Sequence, residues 1–112
     1  MSAAVAQAKR WYRQRISAMV LVVCVVVHLC GLVYAVRGGL TATEILGRTH
    51  GNLAFGLFYA AFVLACAVHV PLGLARILRE TVLPARAANV VSALFALLLL
   101  VLGLRSVYAV VA

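Results

Sequence analysis

The stretch from Leu53 to Ala75 constrains the fold most, because 23 successive residues there carry no formal charge. At ~1.5 Å per residue, a helix of that length crosses a bilayer core of roughly 30 Å. Two more apolar runs, at about 16–36 and 87–108, are also long enough. A lone segment in lipid must satisfy its own backbone, so even the Val-rich first run is predicted to be helical. The sequence predicts an all-α integral membrane protein with three transmembrane helices.

Composition supports a single membrane-anchor domain over residues 1–112. The chain is 67% apolar and 11% charged, well outside the range of soluble domains. The first run is treated as a retained span, since no small-residue cleavage site follows it. The three cysteines lie in apolar runs without metal-type spacing and are predicted to be small core residues. They are Cys24, Cys30 and Cys66.

The basic residues predict orientation rather than a nucleic-acid partner. The net charge is +8, but the cations sit at the ends of the apolar runs instead of forming one patch. Seven lie on one side of the predicted membrane and three on the other, which puts the N-terminus in the cytoplasm and the C-terminus outside. The seven are Lys9, Arg10, Arg13, Arg15, Arg76, Arg79 and Arg86, and the three are Arg37, Arg48 and Arg105.

The second span carries a histidine near its end. A histidine inside a membrane span is costly and usually has a partner. Gly73 lies one turn beyond His69 on the same helix face, so a flat ligand held by the imidazole has room against the helix. This pattern is typical of a haem-binding helix, with a packed core histidine as the alternative. Arg76 is positioned to pair with a haem propionate, or it is only a topology signal.

The other two histidines, His28 and His50, are interpreted separately. With the predicted orientation, His28 lies ~18 Å from the cytoplasmic end of its span and His69 ~9 Å, so they are not expected to bind one iron. Either each binds its own haem, with the second ligand supplied by another chain, or only His69 binds haem and His28 is a neutral packed imidazole. His50, at the outer boundary, is interpreted as a solvated interfacial residue.

The start of the first span is a second candidate site. Arg13, Gln14, Arg15 and Ser17 place hydrogen-bond donors at the membrane surface, where a quinone headgroup can bind while its tail stays in lipid. The alternative is that these basic residues only mark the cytoplasmic end of the helix.

These motifs resemble the cytochrome b membrane-anchor subunits of succinate dehydrogenase and fumarate reductase, the complex II family. The two-subunit type carries His-Arg-x-Ser-Gly at the start of its first span, where residues 14–18 read QRISA. It carries His-xxx-Gly-x-Arg-His at the end of its second span, where residues 69–76 read HVPLGLAR. The resemblance covers the three-helix plan from about Trp11 onward. It implies that His69 is an axial haem b ligand and that Arg15 and Ser17 border a quinone site.

His28 resembles a different branch of the same family. The single-chain, five-helix, two-haem anchors have a small residue at the start of the first span and a haem histidine eleven residues later, as Ser17 and His28 are here. The chain is therefore similar to a short three-helix anchor carrying the histidine pair of the two-haem type.

The resemblance implies a haem b anchor in a bacterial cytoplasmic membrane, passing electrons between a peripheral flavin and iron–sulfur enzyme and membrane quinone. No flavin or cysteine-cluster motif occurs in the sequence, so flavoprotein and iron–sulfur subunits are expected as partner chains. A second anchor chain, or a second copy of this one, would supply the remaining haem ligands. The expected docking surface consists of Arg10, Arg13, Arg76 and Arg79.

Two other functions remain open at the level of sequence. The first is a haem-free small membrane anchor or an oligomeric transporter, in which the histidines make interhelical hydrogen bonds. A transporter more often carries an intramembrane carboxylate, whereas Glu44 and Glu80 both fall in connections. The second is a cytochrome b anchor of another respiratory enzyme.

Overall fold

A computed structural model describes residues 2–112 and contains, within them, four α-helices and no strand. The helices are α1 (Ala3–Gly38), α2 (Ala42–Thr49), α3 (Leu53–Thr81) and α4 (Ala85–Val111). Of these, α1, α3 and α4 are long and apolar enough to cross a membrane. The prediction of an all-α fold with three such helices is confirmed, and each predicted span lies inside one of them.

Polar caps explain where two of the long helices begin. The side chain of Ser2 accepts a hydrogen bond from the Val5 amide at 3.2 Å, so α1 starts well before its apolar run. The side chain of Asn52 accepts from the Phe55 amide at 3.0 Å and starts α3. Such caps satisfy backbone donors that a helix leaves unpaired in its first turn.

The short helix α2 is stabilised by its own first turn. The Glu44 amide donates to Thr41 Oγ1 at 3.2 Å, and the Thr41 hydroxyl donates to Glu44 Oε1 at 2.6 Å. The connection before α2 turns at Gly39, whose φ of 110° favours glycine. Arg48 Nη2 donates to the Gly39 carbonyl at 2.5 Å, which ties α2 to the end of α1.

The middle element of the bundle is α3. It packs antiparallel to α4 on one side and antiparallel to α1 on the other, whereas α1 and α4 make little contact with each other. Small residues allow the close α3–α4 approach. A Cβ added at Gly103 would lie 2.7 Å from a methyl of Val63, and one at Gly56 would lie 3.3 Å from a methyl of Val111.

The loop before α3 holds the far end of α4. Thr49 Oγ1 donates to the Val110 carbonyl at 2.8 Å, and the Gly51 amide donates to the Val111 carbonyl at 2.7 Å. These bonds satisfy carbonyls at the last turn of α4, which have no partner within the helix.

Few side chains are buried, and most of the large apolar ones are exposed. On a membrane-spanning bundle this apolar surface is where lipid contacts the protein. The prediction that all three cysteines are core residues is correct only for Cys24, because Cys66 is half-buried and Cys30 is exposed. Cys30 is exposed because α1 packs mainly against α3, so its other faces have no neighbouring helix.

Candidate functional site

His69 of α3 is hydrogen-bonded to Ser17 of α1. The distance from Ser17 Oγ to His69 Nδ1 is 3.2 Å, and Ser17 is only 6% exposed. The Ser17 hydroxyl also lies 3.1 Å from the Gln14 carbonyl oxygen. A serine has one hydroxyl hydrogen, so Ser17 donates either to the Gln14 carbonyl or to His69. When it donates to Gln14, its Oγ accepts from His69 Nδ1, and the free lone pair of the neutral ring is on Nε2.

This arrangement suits a metal-binding imidazole. Histidines that ligate metals usually donate their other ring N–H to a nearby acceptor, which fixes the tautomer and orients the ring. His69 is half-buried, and within residues 2–112 its Nε2 makes no hydrogen bond. In the tautomer with its hydrogen on Nδ1, His69 offers Nε2 as a ligand atom for a haem iron.

His28 lies in an aromatic environment between α1 and α3. Its Nδ1 is 2.8 Å from the Tyr59 hydroxyl. Its ring lies edge-on to those of Tyr59 and Phe62, with centroid distances of 5.7 and 5.8 Å. Either the imidazole or the phenol can donate in this bond, and Nε2 of His28 has a free lone pair only if the imidazole donates. The geometry accommodates both predicted roles, haem ligand and packed imidazole.

The two histidines belong to separate places in the bundle. His69 bonds Ser17, and His28 bonds Tyr59. On α1, Ser17 and His28 are eleven residues apart, and on α3, Tyr59 and His69 are ten residues apart. At 1.5 Å per residue this is a separation of ~15 Å along the bundle. No group of three or more metal-ligating side chains occurs in residues 2–112, so any metal bound by this part of the chain alone has few protein ligands.

The surface of Gly73 is covered by Gln14. The side-chain nitrogen of Gln14 is 3.3 Å from the position that a Cβ on Gly73 would take. The space that the sequence assigned to a flat ligand therefore contains an amide, and a ligand lying against Gly73 must displace it. This contact depends on α1 continuing as a helix before its apolar run, which brings Gln14 level with Gly73.

A cleft of about 1120 Å³ lies where α1 begins, α3 ends and α4 begins. Four arginines line it, and we call it the arginine cleft; they are Arg10, Arg13, Arg76 and Arg79. Gln14, Gly73, Asn89 and Ser92 are among its other lining residues. Its volume is at the upper end of that of cofactor and ligand pockets.

The four residues predicted to bind quinone fall in different places. Arg13 and Gln14 line the arginine cleft, while Ser17 is buried against His69. Arg15 is exposed, and its guanidinium carbon lies 5.4 Å from the centroid of the Trp11 ring. Successive helical residues are about 100° apart, so a run of neighbours cannot face one site.

The remaining predicted residues are at the surface. Arg76 Nε is 3.2 Å from Glu80 Oε1, in a pair whose side chains are 76% and 65% exposed. An ion pair this exposed contributes little to stability. His50 is exposed in the turn after α2, in agreement with its predicted interfacial position.

Two residues of interest were not singled out from the sequence. Tyr59 lies in the apolar run of α3, and its hydroxyl bonds His28. Ser92 is only 2% exposed, and its Oγ has no hydrogen-bond partner in the described chain. In the sequence, both are polar residues within an apolar run. What each side chain contacts depends on how the helices are shifted along one another, which the sequence of one helix does not show.

The fold and these sites define an all-α protein with three helices of membrane-spanning length and a histidine held between two of them. No family model, no curated protein and no solved structure matches this chain.

Proposed function

We propose that this chain is the membrane-anchor and haem b subunit of a succinate dehydrogenase/fumarate reductase-type complex. In this role it passes electrons between a peripheral flavin and iron–sulfur enzyme and membrane quinone. It resides in a bacterial cytoplasmic membrane with its N-terminus in the cytoplasm. The main support is the hydrogen bond between Nδ1 of His69 and Ser17, because Nε2 of His69 has no partner in the described chain and can bind iron when Nδ1 carries the ring hydrogen.

His69 is the proposed haem ligand, and Ser17 positions it. The haem supplies one-electron transfer when bound. The second axial ligand comes from a second anchor chain or a second copy of this one. The little contact between α1 and α4 supports this, because it leaves faces of both helices open to a neighbouring chain.

The quinone headgroup is proposed to bind at Arg15. Its side chain is exposed at the start of the apolar part of α1, within reach of a headgroup at the membrane surface. Ser17 is a weaker candidate than the family resemblance implies, because its single hydrogen already has acceptors in Gln14 and His69. The cluster of arginines at the same end of the bundle suits docking of the peripheral enzyme.

A haem-free anchor or oligomeric transporter is the second candidate. It is favoured by the observation that both His28 and His69 have hydrogen-bond partners within the chain. Buried histidines of this kind are explained by helix packing alone. Against a transporter, Glu44 lies in α2 and Glu80 in the last turns of α3, and both are exposed. A cytochrome b anchor of another respiratory enzyme would share the haem site and differ in the chains that co-purify.

The test is the dithionite-reduced minus oxidised visible spectrum of the purified complex, with haem quantified per copy of the chain. We expect sharp b-type bands, and we expect His69→Ala to remove the haem it ligates. His50→Ala is the matched control and should keep the full haem content, because His50 is exposed in a turn. A fully assembled complex without haem would overturn the proposal in favour of the haem-free anchor.

A further inference from the structure

The arginine cleft carries more positive charge than the chain neutralises. Four guanidinium groups and one carboxylate, that of Glu80, line it, so four positive charges less one negative charge leave a net +3. Glu80 is ion-paired with Arg76. Arg10, Arg13 and Arg79 form no ion pair within residues 2–112. The cleft is therefore electrostatically suited to an anion.

Two buried polar atoms among the residues that line the cleft also lack partners. They are Ser92 Oγ and Gln14 Oε1. Buried polar groups are normally hydrogen-bonded, and an unpaired one costs free energy. Ser92 offers a hydroxyl donor, whereas Gln14 Oε1 can only accept. A ligand that carries an acceptor for the Ser92 hydroxyl and a hydroxyl or amine donor for Gln14 Oε1 would satisfy both.

The two unpartnered atoms lie at about the same depth. Gln14 is opposite Gly73, and the contact of Gly103 with Val63 sets the offset of α4 on α3. Because α3 and α4 are antiparallel, moving back eleven residues from Gly103 on α4 corresponds to moving forward eleven from Val63 on α3. Ser92 therefore lies opposite residue 74, one residue from Gly73. The arginines lie beside this level or within two turns of it towards the end of the bundle, where lipid headgroups are found.

The shape of the cleft suits a ligand with a hydrocarbon tail. Residues of α1, α3 and α4 line the cleft, and α1 and α4 make little contact with each other. Its lining includes Pro71, Leu72 and Ala93, which are apolar. A headgroup can therefore sit among the arginines while its acyl chains leave sideways along α3.

We propose that the arginine cleft binds one anionic phospholipid whose headgroup carries both a phosphate and a free hydroxyl, as phosphatidylglycerol does. The phosphate lies among Arg10, Arg13 and Arg79, which are charge-assisted donors. Ser92 donates to the phosphate or to a glycerol ester oxygen, and the headgroup hydroxyl donates to Gln14 Oε1. Basic pockets between membrane helices are suited to anionic headgroups.

Other ligands fit these features less well. A neutral quinone leaves the three unpaired arginines without a counter-charge. An acidic surface of the peripheral enzyme, the docking partner proposed above, would compete for the same arginines, but it does not account for the unpartnered Ser92 hydroxyl.

The test is titration of the purified, delipidated complex in detergent micelles, with phosphatidylglycerol compared with phosphatidylcholine of the same chain length. Native mass spectrometry counts the bound lipid. We expect one phosphatidylglycerol per chain and much weaker binding of phosphatidylcholine. The double variant Arg10→Gln/Arg79→Gln should weaken phosphatidylglycerol binding by about tenfold or more, since each surface cation contributes on the order of a few-fold.

Two further variants test whether lipid binding depends on the arginine cleft or only on the total positive charge of the protein. Arg37→Gln/Arg105→Gln removes the same charge at the other end of the bundle and should leave binding unchanged. Ser92→Ala removes one buried hydroxyl, keeps the charge, and should weaken binding several-fold even if the double arginine variant fails to fold. Equal binding of the two lipids, or an equal effect of the control pair, would overturn the proposal. So would displacement of the lipid by millimolar inorganic phosphate or by a short-chain quinone.

Discussion

The hydroxyl of Ser17 is within hydrogen-bond distance of two groups inside the bundle, the Gln14 carbonyl and the His69 ring. When its hydrogen goes to the Gln14 carbonyl, its oxygen accepts from His69. The family resemblance implies a place for Ser17 at a quinone. In this fold a quinone carbonyl would have to compete with the Gln14 carbonyl for the same hydrogen. We therefore regard Ser17 as a positioning residue for His69.

Ser17→Ala tests this role directly. Removing the acceptor frees the His69 ring, and loss of such an outer partner typically weakens metal affinity about 10–100-fold. Haem retention and midpoint potential should both change, and the small change in side-chain volume should leave the fold intact. Ser106→Ala is the control, because Ser106 is exposed and bonds only to Leu102 of its own helix. Unchanged haem retention and potential would contradict the assignment.

Arg15→Ala tests the proposed quinone contact. We expect slower quinone reduction with unchanged electron transfer to a soluble dye, because the dye does not need the headgroup site. The measurement is the ratio of the two activities in the purified complex. Arg37→Ala, at the other end of α1, should leave that ratio unchanged. A ratio unaffected by Arg15→Ala would exclude Arg15 from the quinone site.

The sequence identified His69 for a physical reason: an imidazole inside a charge-free run must have a partner or a ligand. It did not identify the partner, because Ser17 meets His69 only at one offset between α1 and α3. The same offset decides that Tyr59 bonds His28 and that Gln14 covers Gly73. A pattern within one helix carries no information about that offset.

At the scale of elements, α3 and α4 are joined by a contact that glycine alone permits. Gly103 faces Val63 so closely that an added Cβ would lie 2.7 and 2.8 Å from both methyls of Val63. Valine is branched at Cβ and has few rotamers in a helix, so it cannot easily move aside. The contact therefore fixes the distance between the two helices.

Gly103→Ala should destabilise the bundle by about 1–3 kcal/mol, the usual cost of overpacking a close contact. Reversible unfolding in mixed SDS micelles measures this change. Gly47→Ala is the matched control, since a Cβ there meets nothing within 4 Å. Adding Val63→Ala to the Gly103→Ala variant should restore part of the lost stability. A Gly103→Ala variant as stable as the control would contradict this prediction, because α3 and α4 could then move apart without any loss of unfolding free energy.

Helix number and type followed from hydropathy, as did the start of α3 at Leu53, whereas the early start of α1 and the end of α3 beyond its apolar run did not. Lipid forces each apolar run into a helix, which is why three spans could be predicted. The ends depend on polar caps at Ser2 and Asn52, which lie outside the apolar pattern. The start of α2 depends in the same way on the mutual hydrogen bonds between Thr41 and Glu44.

In the whole molecule, α3 contacts both other long helices, which make little contact with each other. The extents are 51 × 23 × 23 Å, so the bundle is elongated along its helices and equally wide in the two other directions. All three long helices are dominated by side chains that only lipid or another chain can cover. An uneven distribution of cations between the two ends of such a bundle is the signal that predicts its orientation in a membrane.

Orientation is tested with single cysteines at the two ends. Val82→Cys lies in the connection after α3, and Thr43→Cys lies in α2 at the opposite end; both positions are exposed. With the N-terminus in the cytoplasm, a membrane-impermeant maleimide should label Thr43→Cys in intact cells. It should label Val82→Cys only after the membrane is opened. The native cysteines lie within the long helices, and the unmodified chain measures their background. The reverse pattern would contradict the predicted orientation.

The pairing of α1 with α3 also sets an order of events during synthesis. His28 and Tyr59 are 31 residues apart, and Ser17 and His69 are 52 apart. At roughly 5–20 residues per second, the ribosome makes His69 about 3–10 seconds after Ser17. During that interval Ser17 has no partner in α3. Tyr59 is made before His69, so pairing of the two helices can begin at the α2 end, and it can be complete only when α3 is nearly finished.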